Sequence, residues 1–345
     1  MAGYLFKRLA QAVLVLWAAY TVVFILLTAL PGNAITNQIN NPQSQLTPQD
    51  GRILLAFYGL NRPIPIQYVR ALDALVHGNL GYSLVSGARV STLLGGALPS
   101  TLELTAVGFV FGAAIAAVVG IAGSYAPWRR LRGALQSVPA LSASVPTFVV
   151  GILILEYFSF TLHLIPAVND GTFRALVGPA LTLGIAVSAP LSQVFTSSIA
   201  ATRGQPFVHV LRARGAGEGY IFGRGVLRNS ALPVLTLLGL AAGELIAGSV
   251  VTETVFSRDG IGQLTLNAVN TDDLPVVQGV VLVSTIGYVL VNLLVDLIYP
   301  LLDPRIRADI LAKRPPRRIA AAVSSNVQAA AEEIAPRFPV EAEAP

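Results

Sequence analysis

Side chains able to do chemistry are few in this chain, and several stand in unexpected places. Glu156, Glu244 and Asp296 sit within or at the ends of long apolar runs, and Asn292 precedes Asp296 by four residues, on one helical face. An acid in such a setting is costly and commonly marks a solute path or a structural pairing. Glu244 serves either role: a path residue meeting an amine or cation, or a hydrogen bond to a neighbouring helix. Glu156 lies toward a run's end, where interfacial solvation accounts for it. Asn292 and Asp296 fit a structural pair. Enzymatic chemistry finds no comparable footing. Cysteine is absent, so there is no thiolate nucleophile or metal site, and His77, His163 and His209 are too scattered for a metal cluster. The only lysines, Lys7 and Lys313, do not follow glycine, so no Gly-x-x-x-x-Gly-Lys phosphate loop exists. The chain is expected to bind no cofactor of its own, and any nucleotide energy must come from another polypeptide.

The elements that must position these residues are apolar spans. The 345 residues are 54% hydrophobic and 12% charged, against about 25% charged in soluble domains. About 20 apolar residues cross a bilayer. Six candidates arise: residues 9–30, 101–125, 135–160, 176–201, 231–252 and 276–302. The first is longer than a signal-peptide core and is expected to stay as an uncleaved span. The arginines then orient the chain. Arg129, Arg130 and Arg132 lie between spans two and three, and Arg203, Arg212, Arg214, Arg224 and Arg228 between four and five. Lys7 and Arg8 precede span one, and Arg305, Arg307, Lys313, Arg314, Arg317 and Arg318 follow span six. The alternate loops carry only dispersed arginines, such as Arg52, Arg62, Arg70, Arg89, Arg174 and Arg258. The basic side is cytoplasmic by the positive-inside rule, so both termini are expected inside. This also explains the net charge of +5 without invoking nucleic acid.

The expected organisation is a transmembrane domain over residues 1–310, with a long outer loop at 31–100 and a basic cytoplasmic loop at 202–230. A disordered cytoplasmic tail at 311–345 is poor in core-forming residues. In the cytoplasmic loop, Pro206 suits a first helical turn. Phe207, Val208, Val210 and Leu211 give an apolar side, and Gly215 and Gly217 provide a break before a second short helix at 218–228. Such a helix–glycine–helix can seat in a partner's groove as a lever. An ordinary amphipathic loop fits the same residues.

The runs Leu211-Arg-Ala-Arg-Gly-Ala-Gly217 and Leu227-Arg-Asn-Ser-Ala-Leu-Pro233 resemble the coupling loop of binding-protein-dependent ABC transporter permeases, in the dipeptide/oligopeptide/nickel branch and on the side of its B-type subunit. Further matching stretches follow in order: Leu30-Pro31-Gly32, Gly59 to Tyr68, Gly78 to Ser83, Leu98 to Leu104, Val251 to Phe256, Gly260-Ile261-Gly262, Asn292 to Asp296 and Leu302 to Arg307. Two departures stand out. Arg258-Asp259 replaces an aromatic-proline pair, and Gly225 replaces a histidine.

The resemblance implies an all-α integral membrane protein with the type I ABC importer permease fold, six spans, and both termini inside, in a bacterial inner (plasma) membrane. It implies a non-catalytic subunit that encloses a translocation path together with a homologous second permease. ATP and Mg belong to two ATP-binding subunits or one fused ATPase, and an extracytoplasmic substrate-binding protein delivers peptides or similar small solutes. Nickel chelates, glutathione or haem are alternative cargoes. Arg212, Arg214, Gly215, Gly217, Arg224 and Arg228 become the ATPase-coupling residues, Glu244 and Asn292 path residues, and Glu253, Phe256, Gly260 and Gly262 outer docking residues. The rival, an ion-coupled secondary transporter, would usually carry inverted repeats, and none is visible.

Overall fold

Pro146 divides what the sequence offers as one span. In the computed structural model, residues 135–160 belong to two helices, α6 (Arg129–Ser144) and α7 (Thr147–Ile154), bent by 105° at the break. Proline disfavours the helical region for the residue before it, and Val145 is accordingly extended, with ψ of 124°. α7 then widens into a π-helical turn, Leu155–Thr161.

The structure describes residues 2–29, 34–40 and 47–302. The expected tail at 311–345, the Leu30-Pro31-Gly32 stretch and the side chain of Asp296 lie outside what is described. Among the described residues the regular elements are helices, and the one bridge is an isolated pair between Tyr82 and Arg89. Five helical stretches are long and apolar enough to cross a membrane, and the bent α6–α7 pair counts as a sixth if taken as one span. They are α1 (Ala2–Ala29), α5 (Val90–Tyr125), α8 (Phe173–Arg203), α11 (Leu227–Val255) with the turns before it, and α13 (Leu274–Leu302). α5 starts eleven residues before the sequence-expected position at Thr101, because the helix runs through Pro99 rather than beginning after it.

α5 packs along α8, and small residues let the backbones approach. A Cβ on Gly184 would lie 2.8 Å from Cβ of Phe111 and 3.0 Å from the backbone nitrogen of Gly112. Lipid tails are as apolar as the helix surfaces, so close packing must supply the association that water exclusion supplies elsewhere. Leu104, Leu176, Ala180, Leu183 and Leu245 form the core where α5, α8 and α11 meet.

The described part of the long loop at 31–100 contains three short helices, α2 (Ala34–Asn40), α3 (Pro48–Phe57) and α4 (Ile64–Val76). Ile35 and Leu84 anchor a small core beneath them. Asp273, buried just before α13, holds this region down. It accepts from Ser83 Oγ at 2.5 Å and from the Leu84 N–H at 3.0 Å. Tyr58 donates to the Ser83 carbonyl at 3.1 Å. Burial first, and the Asp273 carboxylate second, raise the Tyr58 phenol above its ordinary range.

Gly184→Val is expected to lower the thermal midpoint of the purified chain in detergent by several degrees. Overpacking at a backbone contact costs about 1–3 kcal/mol. Gly133→Ala, where a Cβ meets nothing within 4 Å, is expected to leave the midpoint unchanged.

Candidate functional site

The basic loop after α8 is built around a helix stop. α9 (Pro206–Ala213) opens with Pro206 in its first turn, where the missing N–H is no loss. At its end Gly215 adopts φ of +81°, a left-handed conformation that glycine enters without steric cost. The Gly215 N–H donates to the Arg212 carbonyl at 3.0 Å, and the Ala216 N–H to the Leu211 carbonyl at 3.1 Å. These paired bonds define a Schellman stop, which satisfies the last carbonyls and sets the exit direction of the chain. Arg212 then reaches over the turn. Its Nε and Nη2 both donate to Glu218 Oε1, at 2.9 and 2.6 Å.

The second half of the loop differs from expectation. The short helix expected at 218–228 is not separate. It starts as α10 (Glu218–Tyr220), widens into a π-turn at Ile221–Val226 and continues into α11. Residues 218–255 thus form one continuous helical run into the span.

α9 rests on that foot through its apolar side. Val208 is fully buried, and Phe207 and Leu211 pack with Phe195, Ile199, Ile221 and Val226. A Cβ on Gly225 would lie 3.0 Å from the Phe207 ring, so glycine in place of the family's histidine lets α9 sit close. Arg203 adds a tie to α5, where the sequence shows only loop charge. Its Nη1 donates to the Ser124 carbonyl at 2.9 Å, and its guanidinium lies 4.4 Å from the centroid of the Tyr125 ring. A cation in the last turn of a long helix is the available signal. Arg214, Arg224 and Arg228 are exposed, as are Gly215 and Gly217. The loop thus combines a seated apolar face with exposed basic side chains.

At the opposite end of α11, the residues expected to dock an outer partner face inward. Glu253 and Phe256 are 0% and 3% exposed, and Gly260 and Gly262 are buried as well. Glu253 accepts from Thr101 Oγ1 at 2.6 Å and from the Gly262 N–H at 2.7 Å. Thr101 Oγ1 in turn accepts the Ile261 N–H at 2.8 Å. The opening N–H groups of α12 (Ile261–Asn270) are thereby capped from α5 and α11 rather than locally. A Cβ on Gly260 would collide with the Glu253 carboxyl group. The Gly260-Ile-Gly262 pattern makes room for a carboxylate. Arg258 is 4% exposed and joins the same hub, with Nη2 at 3.2 Å from Ser100 Oγ and 3.3 Å from Glu103 Oε2.

Glu244 is exposed on the isolated chain. Asn292 Nδ2 donates to its own helix at the Tyr288 carbonyl, at 2.9 Å, and lies 3.5 Å from where a Cβ on Gly243 would be. These two candidate path residues therefore belong to neighbouring stretches of α11 and α13. Among the described residues, no group of three His, Cys, Asp or Glu could hold a metal ion.

Residues 108–308 match the family described as binding-protein-dependent transport system inner membrane component. The chain is 31% identical over 308 residues to the dipeptide transport system permease protein of Lactococcus lactis, covering 89% of this chain and 100% of that one. It is 31% identical over 309 residues to the glutathione transport system permease protein of Salmonella paratyphi A, covering 89% and 99%. The inward-facing methionine ABC transporter MetNI shares the fold, with a TM-score of 0.51 at 16% identity over 61% of this chain and 96% of that one.

The chain belongs to the binding-protein-dependent inner membrane component family. It is a multi-pass inner-membrane permease subunit of an ABC importer, without a cofactor of its own, and hydrolysis of ATP is the work of partner subunits. Family membership implies in general a partner permease, ATPase subunits and a substrate-binding protein, and it does not favour the ion-coupled alternative.

Glu253→Gln is expected to destabilise the chain by about 1–3 kcal/mol, since an amide nitrogen cannot accept from the buried donors of Thr101 and Gly262. The loss should appear as a lower melting midpoint in detergent.

Proposed function

We propose that this chain forms half of an ATP-driven import path for short peptides and transmits the ATPase stroke through α9. The observation that carries the reading is the construction of α9. It is stopped at Gly215, clasped by Arg212 to Glu218, and seated on the foot of α11. A rigid knob on a continuous lever suits force transmission. In this reading Arg214, Arg224 and Arg228 meet the ATP-binding subunits, while Arg212 and Gly217 shape the turn. Two ATP-binding subunits, or one fused ATPase, hold ATP and Mg. A homologous second permease completes the path, with Glu244 and Asn292 facing it, and both termini lie in the cytoplasm, on the basic side.

Peptide cargo is supported by the relatives named for dipeptide and glutathione transport, both of which are peptides. An extracytoplasmic binding protein delivers the cargo. The buried set Glu253, Phe256, Gly260 and Gly262 shapes the surface it docks on by fixing α12.

The test is a proteoliposome assay with the assembled importer. Gly215→Pro cannot adopt φ of +81° and loses the N–H to Arg212. It, and Arg214→Asp, are expected to abolish peptide uptake while ATP hydrolysis continues. Unchanged uptake in both variants would remove the coupling role. Arg212→Glu is expected to impair uptake, and the added change Glu218→Arg to restore most of it. Failure of the double variant to recover would show that Arg212 acts on the partner rather than as a clasp.

A further inference from the structure

The importer reading gives α4 no task, yet its surroundings are unusual. It has 13 residues, and none of them is buried. A helix of that length is marginal in water by itself, because most helical stability comes from packing an apolar face. One side of α4 is taken by α1. Tyr68 and Thr21 share a hydrogen bond of 2.7 Å, and the Tyr68 ring meets Phe24 edge-on, with centroids 5.2 Å apart. A second side is covered by the preceding turn, where Gln67 Nε2 donates to the carbonyls of Leu60 and Arg62 at 3.2 and 2.6 Å.

A third side stays open, and it is apolar. Val69 and Val76, a heptad apart, project within about 20° of one another on a helix. They are 64% and 79% exposed. At about 100° per residue they stand on the flank away from Gln67. The contact with α1 fixes the level at which this flank lies. α1 is apolar enough to cross the membrane from Arg8 to Thr28. At 1.5 Å per residue, Thr21 lies about 10 Å inside the Thr28 end. Tyr68 therefore holds α4 beside the last two turns of the span. Val22 and Ile25, in those turns, are 55% and 57% exposed, so α4 stands next to an open apolar surface at bilayer depth.

We propose that α4 is an interfacial helix, lying on the bilayer at the Thr28 end of α1 with Val69 and Val76 among the acyl chains. Amphipathic helices lie in this way about 5–10 Å into the boundary between headgroups and chains, a depth that Tyr68 reaches on α1. Arg70 and Asp73 are exposed on the arc beyond the valines, where the headgroups meet them. An exposed apolar patch marks contact with protein or with membrane, and attachment to the side of a span selects the membrane. The bilayer supplies the burial that the rest of the chain does not, and it tethers the long loop before α5 to the lipid surface.

Spin labelling of the full chain with its partner subunits, in phospholipid nanodiscs, tests the assignment. The chain has no cysteine. Val69→Cys, Val76→Cys and Arg70→Cys therefore each carry a single nitroxide, once any cysteines of the partner subunits are replaced by serine. Power-saturation spectra compare collisions with oxygen, which concentrates in lipid, and with a water-soluble nickel chelate. The ratio of oxygen to nickel collisions is expected to be severalfold higher at positions 69 and 76 than at 70. Equal ratios at the three positions would place α4 in water and overturn the proposal. Shielding of 69 and 76 that arises only when a substrate-binding protein is added would assign the flank to a protein partner and overturn it as well. A phospholipid carrying a diazirine on its acyl chain reads the unmodified protein, free of any distortion by a label. Photocrosslinks are expected within residues 64–76 as well as in α1. Crosslinks in α1 with none in α4 would reject the interfacial position.

Discussion

A bilayer core offers no hydrogen bonds and no hydrophobic reward for bringing helices together. That constraint governs how this chain is assembled. α5 and α8 associate through surfaces where glycine replaces side chains, so that Gly184 nearly touches the backbone at Gly112. Contact at this distance is specific, because any added atom collides. The pair gives the other elements a frame: α11 packs against it at Leu245, and α9 rests on one end of it through Phe195 and Ile199.

Polar groups work at the ends of this frame, where they are scarce and heavily used. On one side Glu253 and Thr101 cap α12 from two different helices. The result joins α5, α11 and α12 with few donors and acceptors, all buried in the same small region. Arg258 extends the hub to Ser100 and Glu103. On the other side Arg203 ties α8 to the last turn of α5. The basic loop with α9 follows directly and is seated on the same end of the frame.

Much of the architecture was legible in the residues. Run length and charge alternation identified the spans, and the Gly215 break identified the end of α9. The bend at Pro146 was harder to see, because the residues on either side are apolar enough to pass as one continuous run. The continuity of residues 218–255 was hidden for a related reason: a short helix at 218–228 and a span at 231–252 read as two elements, yet a π-turn at Ile221–Val226 and α11 join them, with Pro233 inside the helix. Asp273 gave no signal at all. Its role depends on Ser83 and Leu84, about 190 residues away in sequence.

The sequence by itself determined the membrane class, the approximate spans, the basic side and the place of the loop stop. These follow from local properties: hydropathy, charge and the conformational freedom of glycine. Only the tertiary structure decided which way the motif's polar residues face. Glu253 and Gly260 read as an outward motif and prove to be a buried carboxylate and the space it occupies. Burial and hydrogen-bond partnership are set by segments far apart in the chain, and no local pattern encodes them.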